Sequence, residues 1–236
     1  MANPQSVSTI RTIKTATPRL ISLANEVYRE GGAIIDGEES RDPLNTSYLD
    51  YLRAGLVMGK ITTGSKFAPS IIGTLASAYD KDGSFDTTMT VSAATAVEIV
   101  RRIGTSGTFK ITGPPSAAGT VVTATITFSA ISTTTGAITV TAAAADYVSG
   151  SFIQPTDGSE TPLCMIASGY PLKVTDENDA DIDIDFGKML IGGRIDASQI
   201  INYPSDASLK KWIKGKLNGT SGTTSGGAPF SFDDDV

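Results

Sequence analysis

The sequence predicts a mainly β fold, a β-rich domain with short helices and an inserted antiparallel β subdomain. Short stretches of Thr, Ser, Ala and Val recur along the chain, and 24 of its 236 residues are glycine. With 7% aromatic residues, this composition favours strands separated by turns over a helical bundle. Because 40% of the residues are hydrophobic, the chain has enough apolar material for a core and is not expected to be disordered.

Residues 1–18 are predicted to form an extended N-terminal arm. They are polar and rich in Ser and Thr, Pro18 ends them, and their weak alternation provides no face to bury. Such an arm gains order by adding a strand to another surface, although a frayed terminus explains the same composition. The candidate contact residues of the arm are Ile10, Arg11, Ile13 and Lys14.

Residues 19–204 are predicted to form the β-rich domain. Its first part, residues 20–35, contains strand pieces separated by a bend at Gly31 and Gly32, where glycine relaxes the backbone. Residues 48–53 fit either a short helix or a strand. Residues 54–62 are bounded by glycines and are predicted to form a strand.

An insert at about residues 86–150 is predicted to begin with a helix and to continue as a small antiparallel sheet. The helix covers residues 92–103, with Ser92 as N-cap and Gly104 at its end. Its predicted apolar stripe is Ala93, Ala96, Val97 and Val100. The strands of the sheet are predicted near residues 108–112, 121–128 and 137–142. Apolar or β-branched residues alternate there with Thr, as in half-buried antiparallel strands.

The rest of the domain is predicted to return to short strands separated by turns. These strands are predicted at residues 152–153, 164–167, 172–175, 182–186 and 189–195. The single cysteine, Cys164, cannot form an internal disulfide. Its apolar surroundings in the sequence predict a buried thiol.

Residues 205–236 are predicted to form an amphipathic helix and a flexible acidic tail. The helix covers residues 206–217, with Ser205 as its cap. Apolar residues recur at helical spacing opposite four lysines. The apolar set is Leu209, Trp212, Ile213 and Leu217, and the lysines are Lys210, Lys211, Lys214 and Lys216. The first three apolar residues are candidate contacts with a partner protein or another subunit, unless they pack on their own domain.

The tail beyond Asn218 has the Gly, Ser and Thr composition of a linker and ends in an acidic patch. Phe230 and Phe232 precede that patch and are further candidate contacts. Two interpretations are open, a docking peptide on a tether or a solvated tail.

The sequence contains no recognisable catalytic motif, and the chain is predicted not to be an enzyme. Histidine, the commonest general base and metal ligand, does not occur. Phosphate-binding glycine loops and zinc-binding cysteine pairs do not occur either, so neither a cofactor nor a metal is predicted. A net charge of −6 disfavours nucleic acid as a partner. No apolar run reaches the roughly 18 residues of a membrane span, so no membrane partner is expected.

Two acidic segments are considered as cation sites. Residues 80–86 resemble a calcium loop, but their glycine is at the wrong position for an EF-hand and an Asp-Gly turn is favoured. Residues 179–186 alternate carboxylates with Ile182, Ile184 and Phe186, which places the carboxylates on one side of a strand and the core residues on the other. A charged strand that prevents aggregation is the favoured interpretation, ahead of Ca²⁺ or a basic partner.

Two segments resemble the lambda-type head decoration proteins of tailed bacteriophages. Residues 54–68 (AGLVMGKITTGSKFA) look like the strand and turn of that family, where an apolar start is followed by a short turn and a Lys-aromatic pair. Residues 156–167 (TDGSETPLCMIA) are similar to its Asp-Gly-Ser segment followed by an apolar strand. Compact members of the family lack the insert.

The resemblance implies a virion structural protein of the outer capsid surface, made in the host cytoplasm. Such a protein bridges neighbouring subunits of the major capsid protein at symmetry axes, usually as a homotrimer. The alternative is a head-fibre or tail-associated adhesin whose Thr-rich insert contacts a host surface. An unrecognised hydrolase is a third hypothesis, and it requires carboxylates around Asp181 and Asp183 to converge in a cleft.

Overall fold

The computed structural model describes residues 21–46, 48–82, 87–141, 143–221 and 230–233. Within these ranges the chain forms sixteen strands and two α-helices, which confirms the predicted mainly β fold. The strands are β1 (Ser22–Tyr28), β2 (Ala33–Ile35), β3 (Tyr51–Leu52), β4 (Val57–Lys60), β5 (Phe67–Pro69), β6 (Gly73–Thr74), β7 (Thr88–Thr90), β8 (Gly107–Gly113), β9 (Val122–Ile131), β10 (Ala137–Val140), β11 (Phe152–Gln154), β12 (Cys164–Ile166), β13 (Leu172–Lys173), β14 (Ile184–Phe186), β15 (Met189–Asp196) and β16 (Phe230–Asp233). The helices are α1 (Ala93–Arg102) and α2 (Ala207–Ser221).

Eight strands form one curled sheet, in the order β1-β15-β12-β4-β5-β2-β14 with β16 added beside β15. β15 pairs with β1 along one side. Its other side pairs first with β12, at Met189 and Leu190, and then with β16, at residues 193–196. The β15–β16 and β2–β5 pairs are parallel and the other pairs of this sheet are antiparallel. The first and last described strands, β1 and β16, therefore flank β15 on opposite sides.

Six strands form a second curled sheet, in the order β6-β11-β8-β9-β10-β7, and every pair is antiparallel. The three strands predicted within the insert are β8, β9 and β10. The sheet has its own core, in which the rings of Phe109 and Phe128 lie 5.7 Å apart. It begins at Gly73 rather than near residue 86, because β6 and β11 flank the predicted insert and join its sheet.

Several local predictions for the first sheet are confirmed. Gly31 and Gly32 have φ of +74° and +65° and make the turn between β1 and β2. The strand predicted within residues 54–62 is β4. Cys164 lies in the core on β12, and its burial raises the pKa of the thiol to about 12, so it remains protonated at neutral pH.

Helix α1 has the predicted bounds but buries a different side. Ser92 Oγ accepts a hydrogen bond from the Thr95 backbone N–H at 3.1 Å, which confirms the predicted N-cap. Half of the predicted stripe is wrong: Ala96 is fully buried, but Ala93 is exposed and Val97 is 44% exposed. The buried residues of the helix are Thr95, Ala96, Glu98 and Ile99.

Polar residues explain why the hydrophobic pattern of α1 was misleading. Thr95 lies so close to the backbone of β6 that a Cβ on Gly73 would be 2.2 Å from its Cγ2 atom. Glu98 is held on the same side by Arg101, whose guanidinium donates to it at 2.6 and 2.8 Å. A buried side that contains a threonine and an ion-paired glutamate cannot be found from apolar periodicity.

Helix α2 is capped by Asp206 and not by Ser205 as predicted. Asp206 Oδ1 accepts hydrogen bonds from the N–H groups of Ser208 at 2.8 Å and Leu209 at 3.1 Å, whereas Ser205 is exposed. A carboxylate also interacts favourably with the positive end of the helix dipole. The Oδ2 atom accepts from the Ala118 N–H at 3.0 Å, so the cap also connects α2 to the β8–β9 loop.

Candidate functional site

Helix α2, β16 and residues 114–121 form one surface, the C-terminal face. The candidate contact residues of the C-terminal region belong to α2 and β16. Helix α2 packs against β15 and β16 through its apolar side. Leu209, Ile213 and Leu217 have no exposed surface. Leu209 and Ile213 are therefore core residues of their own domain and are not available to a partner.

Trp212 is the predicted helix contact that reaches the surface. Its ring is partly buried, 5.7 Å from the ring of Phe152 on β11, and Lys216 Nζ lies 5.7 Å from its centroid. It borders a groove of about 380 Å³ between α2 and the β8–β9 loop. The groove is lined by Ala118, Gly119, Thr120, Val121, Ser208, Lys211 and Trp212.

A second groove of about 550 Å³ runs along the lysine side of α2. Lys210 Nζ lies 5.4 Å from the ring centroid of Tyr203, and Lys214 Nζ lies 5.4 Å from that of Phe232. Stacking on the rings orders long side chains that are otherwise mobile. The lysines of α2 make the C-terminal face cationic, although the whole chain carries a net charge of −6.

The end of the chain is part of the fold at β16. Phe230 is 4% exposed, its N–H donates to Asn218 Oδ1 at 2.8 Å, and its ring lies 5.9 Å from that of Phe232. Asp233 forms an ion pair with Arg194 of β15. The two phenylalanines that were predicted as candidate contacts on a tail thus pack on a sheet. Residues 222–229 and 234–236 lie outside the described residues.

The described chain begins and ends at the same end of β15. Ile21 precedes β1, and its carbonyl accepts from the Asp196 N–H at 2.9 Å. On the other side of β15, Asp233 is the ladder partner of the same Asp196. The arm residues Ile10, Arg11, Ile13 and Lys14 lie outside the described residues. Their point of attachment is nevertheless fixed by Ile21, which is buried.

The β1 and β14 edges of the eight-stranded sheet are unsuited to pairing with another sheet. β1 is irregular along its length, because Asn25, at φ +54°, and Glu26 lie opposite the single residue Gly193 of β15, which has φ +127°. β14 lies at the other edge and carries the acidic segment. Bulges and charges are the usual devices that keep an edge strand from aggregating.

The carboxylates of the acidic segment are paired with cations of the same chain. Asp181 forms an ion pair with Arg41. Asp183 accepts from Lys66 at 2.8 Å, and this bond holds the pKa of the Asp183 carboxyl below its ordinary value. The strand within the segment is shorter than predicted, and Ile182 is 37% exposed instead of facing the core.

The acidic segments show no clustering of metal ligands. Among the described residues, no three His, Cys, Asp or Glu side chains are placed to hold a metal ion. Residues 83–86 of the loop that resembles a calcium site lie outside the described part of the chain. Asp80 accepts instead from the Asp82 N–H at 3.0 Å in a local turn.

An ion-pair junction at Arg102 joins the two sheets, and sequence reasoning missed it. The Arg102 side chain is 1% exposed and donates to Asp157 at 2.9 Å, to Ser159 Oγ at 2.6 Å and to the Pro69 carbonyl at 2.6 Å. Its Nε lies 3.2 Å from Glu39 Oε2. The sequence indicated only that Arg101 and Arg102 suit a helix C-terminus. The partners of Arg102 are too distant in the chain to be identified by spacing.

No family model, no curated protein and no solved structure matches the chain. Within the part of the chain that the structure describes, no helix is both long enough and apolar enough to cross a membrane.

Proposed function

We propose that this chain is a virion structural protein that decorates a tailed-phage capsid and stabilises it by bridging neighbouring major capsid protein subunits. The observation that carries the proposal is that the described chain begins and ends beside the same residue of β15, because Ile21 O accepts from the Asp196 N–H and Asp233 is the ladder partner of Asp196. We take the arm, which joins the body there, as the segment that contacts the shell. The resemblance of residues 54–68 and 156–167 to lambda-type decoration proteins supports the same function.

The arm supplies the contact with the shell. Residues 1–20 contain Arg11, Lys14 and Arg19 and no acidic residue. An extended segment that adds a strand to the edge of a shell subunit gains main-chain hydrogen bonds there. Because the β1 and β14 edges of the eight-stranded sheet are blunted, we assign β-pairing with the shell to the arm.

The body supplies rigidity. A part that bridges shell subunits under outward pressure must transmit load without deforming, and the buried Arg102 junction fixes one sheet to the other. Binding only to the assembled shell stabilises it by mass action, and many equivalent copies add their contributions. The C-terminal face, with Trp212 and the lysines, is the surface we assign to self-association in a homotrimer.

A head-fibre or tail-associated adhesin is the second candidate, and the exposed face of the six-stranded sheet favours it. Thr123, Thr125 and Thr127 project from β9 to solvent, and Thr127 is the ladder partner of Thr108 on β8. A sheet face rich in hydroxyl groups is suited to polar ligands such as host glycans.

Co-sedimentation with undecorated capsids of the same virus tests the proposal. We expect the full chain to sediment with capsids, and a chain lacking residues 2–18 to remain in the supernatant. Thr134→Ala, an exposed change between β9 and β10, is the matched control and is expected to sediment as the full chain does. If the full chain does not bind capsids but binds host cells through the β9 face, the adhesin function replaces this proposal.

A further inference from the structure

The last strand occupies a slot whose contacts do not depend on which copy of the chain supplies the strand. The slot consists of β15 at residues 193–196 and the adjoining side of α2. It receives the Phe230 ring in the core, the Phe232 ring under Lys214, and Asp233 beside Arg194. A second copy of residues 230–233 would make the same contacts.

The connection to β16 is much longer than its position requires. Asn218 of α2 and Phe230 are in direct hydrogen-bond contact at 2.8 Å. Helix α2 ends at Ser221, and the connecting residues 222–229 have the sequence GTTSGGAP, which contains no large side chain. Eight extended residues span roughly 26–29 Å. The connection can therefore reach a slot on an adjacent molecule.

We propose that in the assembled oligomer residues 230–233 of each copy occupy the β15–α2 slot of a neighbouring copy. The proposal rests on the self-association that is part of the proposed function, and its partner is a second copy of this chain. Exchange of an identical element preserves every contact, and the exchanged strand holds each copy to its neighbour. In a free chain the tether favours the strand's own slot, while an oligomer brings a neighbour's slot to a comparable effective concentration.

The geometry of the β15–β16 ladder provides a direct test. Arg194 and Ser231 are ladder partners and both are exposed. Neighbouring strands lie about 4.8 Å apart, within the Cα separation of a disulfide. The native Cys164 is buried and does not interfere. Full-length Arg194→Cys chains that carry a size tag are co-expressed with untagged full-length Ser231→Cys chains, the oligomer is oxidised, and chains are separated without reductant.

The expected result is a disulfide between a tagged and an untagged chain. Ser231→Cys co-expressed with tagged Thr134→Cys, an equally exposed thiol on the other sheet, controls for random collision and should give no linked pair. The chain that carries both Arg194→Cys and Ser231→Cys should form covalent multimers. An intrachain disulfide alone in that double variant, together with no mixed pair, overturns the exchange.

Light scattering on the same samples distinguishes failure of the strand exchange from failure of the self-association. An oligomeric mass without mixed disulfides overturns strand exchange and leaves the proposed homotrimer intact. A monomeric mass overturns both the exchange and the self-association on which it rests.

Discussion

At the scale of single residues, Arg102 shows how one buried cation holds two sheets together. Burial alone would raise the pKa of Asp157, but the Arg102 guanidinium and the bonds from Ser159 hold it below its ordinary value. Burial raises the pKa of Glu39 instead, because its Oε2 faces Arg102 Nε without a well-aligned hydrogen bond. Asp157 is therefore the stronger partner of the junction.

Replacing the guanidinium should destabilise the protein substantially. Arg102→Met leaves Asp157 and Glu39 without their cation, and we expect the free energy of unfolding to fall by about 3 kcal/mol. Both carboxylates are about 30% exposed, which places the loss at the lower end of the usual range. Urea denaturation measures it. Lys81→Met, which removes an exposed pair with Asp82, should leave the midpoint unchanged. Equal midpoints for the two variants would contradict the assigned role of Arg102.

The cap of α2 should give a defined pH dependence. Burial raises the pKa of Asp206, but hydrogen bonds from Ala118, Leu209 and Ser208 lower it more, so the net pKa lies below the ordinary value. The stabilisation is complete above the unfolded pKa of about 3.9 and is lost as the pH falls through the folded pKa.

Asp206→Ala is expected to cost about 1 kcal/mol at pH 7, because a helix cap is lost. Asp206→Asn keeps an acceptor and should cost less. The difference between wild type and the alanine variant should shrink as the pH is lowered from 5 toward 2. Thermal unfolding across that range checks the sign, and a difference that grows on acidification would be inconsistent with the cap.

At the scale of elements, the sequence predicted best the segments that have periodic side chains or turn residues at their ends. Strands β8 and β9 alternate along their length, α1 and α2 carry cap or lysine patterns, and β11 to β15 lie between turn residues, so each was predicted close to its position. Strands β6 and β7 have only two or three residues, show no alternation and were not predicted, because they form through pairing with distant partners. β16 follows a linker-like segment and is fixed by the parallel partner β15, which no local pattern reveals.

The candidate site could be predicted only in part for the same reason. The spacing of Trp212 and the lysines identified the exposed side of α2. The slot for β16 and the Arg102 junction depend on contacts between segments more than 30 residues apart, which spacing does not encode.

The corrected side of α1 makes a direct prediction. Ile99 is fully buried whereas Val97 is 44% exposed. Ile99→Ala should lower the free energy of unfolding by about 2–4 kcal/mol, because it leaves a cavity under the second sheet. Val97→Ala should change it by less than about 0.5 kcal/mol. A larger loss of stability for Val97→Ala than for Ile99→Ala in chemical denaturation would support the stripe predicted from the sequence.

The burial of β16 leads to a further prediction about stability. Phe230→Ala should cost about 3 kcal/mol of stability, since the ring lies in the core with Leu217 and Ile195. Ser231→Ala, on the exposed side of the same strand, should have no measurable effect. Comparable stabilities for the two variants would mean that the strand does not pack on β15.

At the scale of the whole molecule, two joined sheets bring the start and the end of the described chain to one strand. The Arg102 junction joins the sheets, and β15 anchors both the start of β1 and the end of β16. This arrangement is suited to a part that binds many equivalent places on a lattice. The number of places is then set by the symmetry of the shell and not by the chain.

The number of copies bound per capsid at saturation is the measurement that tests this account most directly. Undecorated capsids titrated with the purified chain and counted by mass should reach a plateau at a fixed multiple of the lattice's symmetry sites, in threes if the bound unit is the homotrimer. Binding that never saturates, or a full chain that does not bind at all, would contradict the capsid-decorating function.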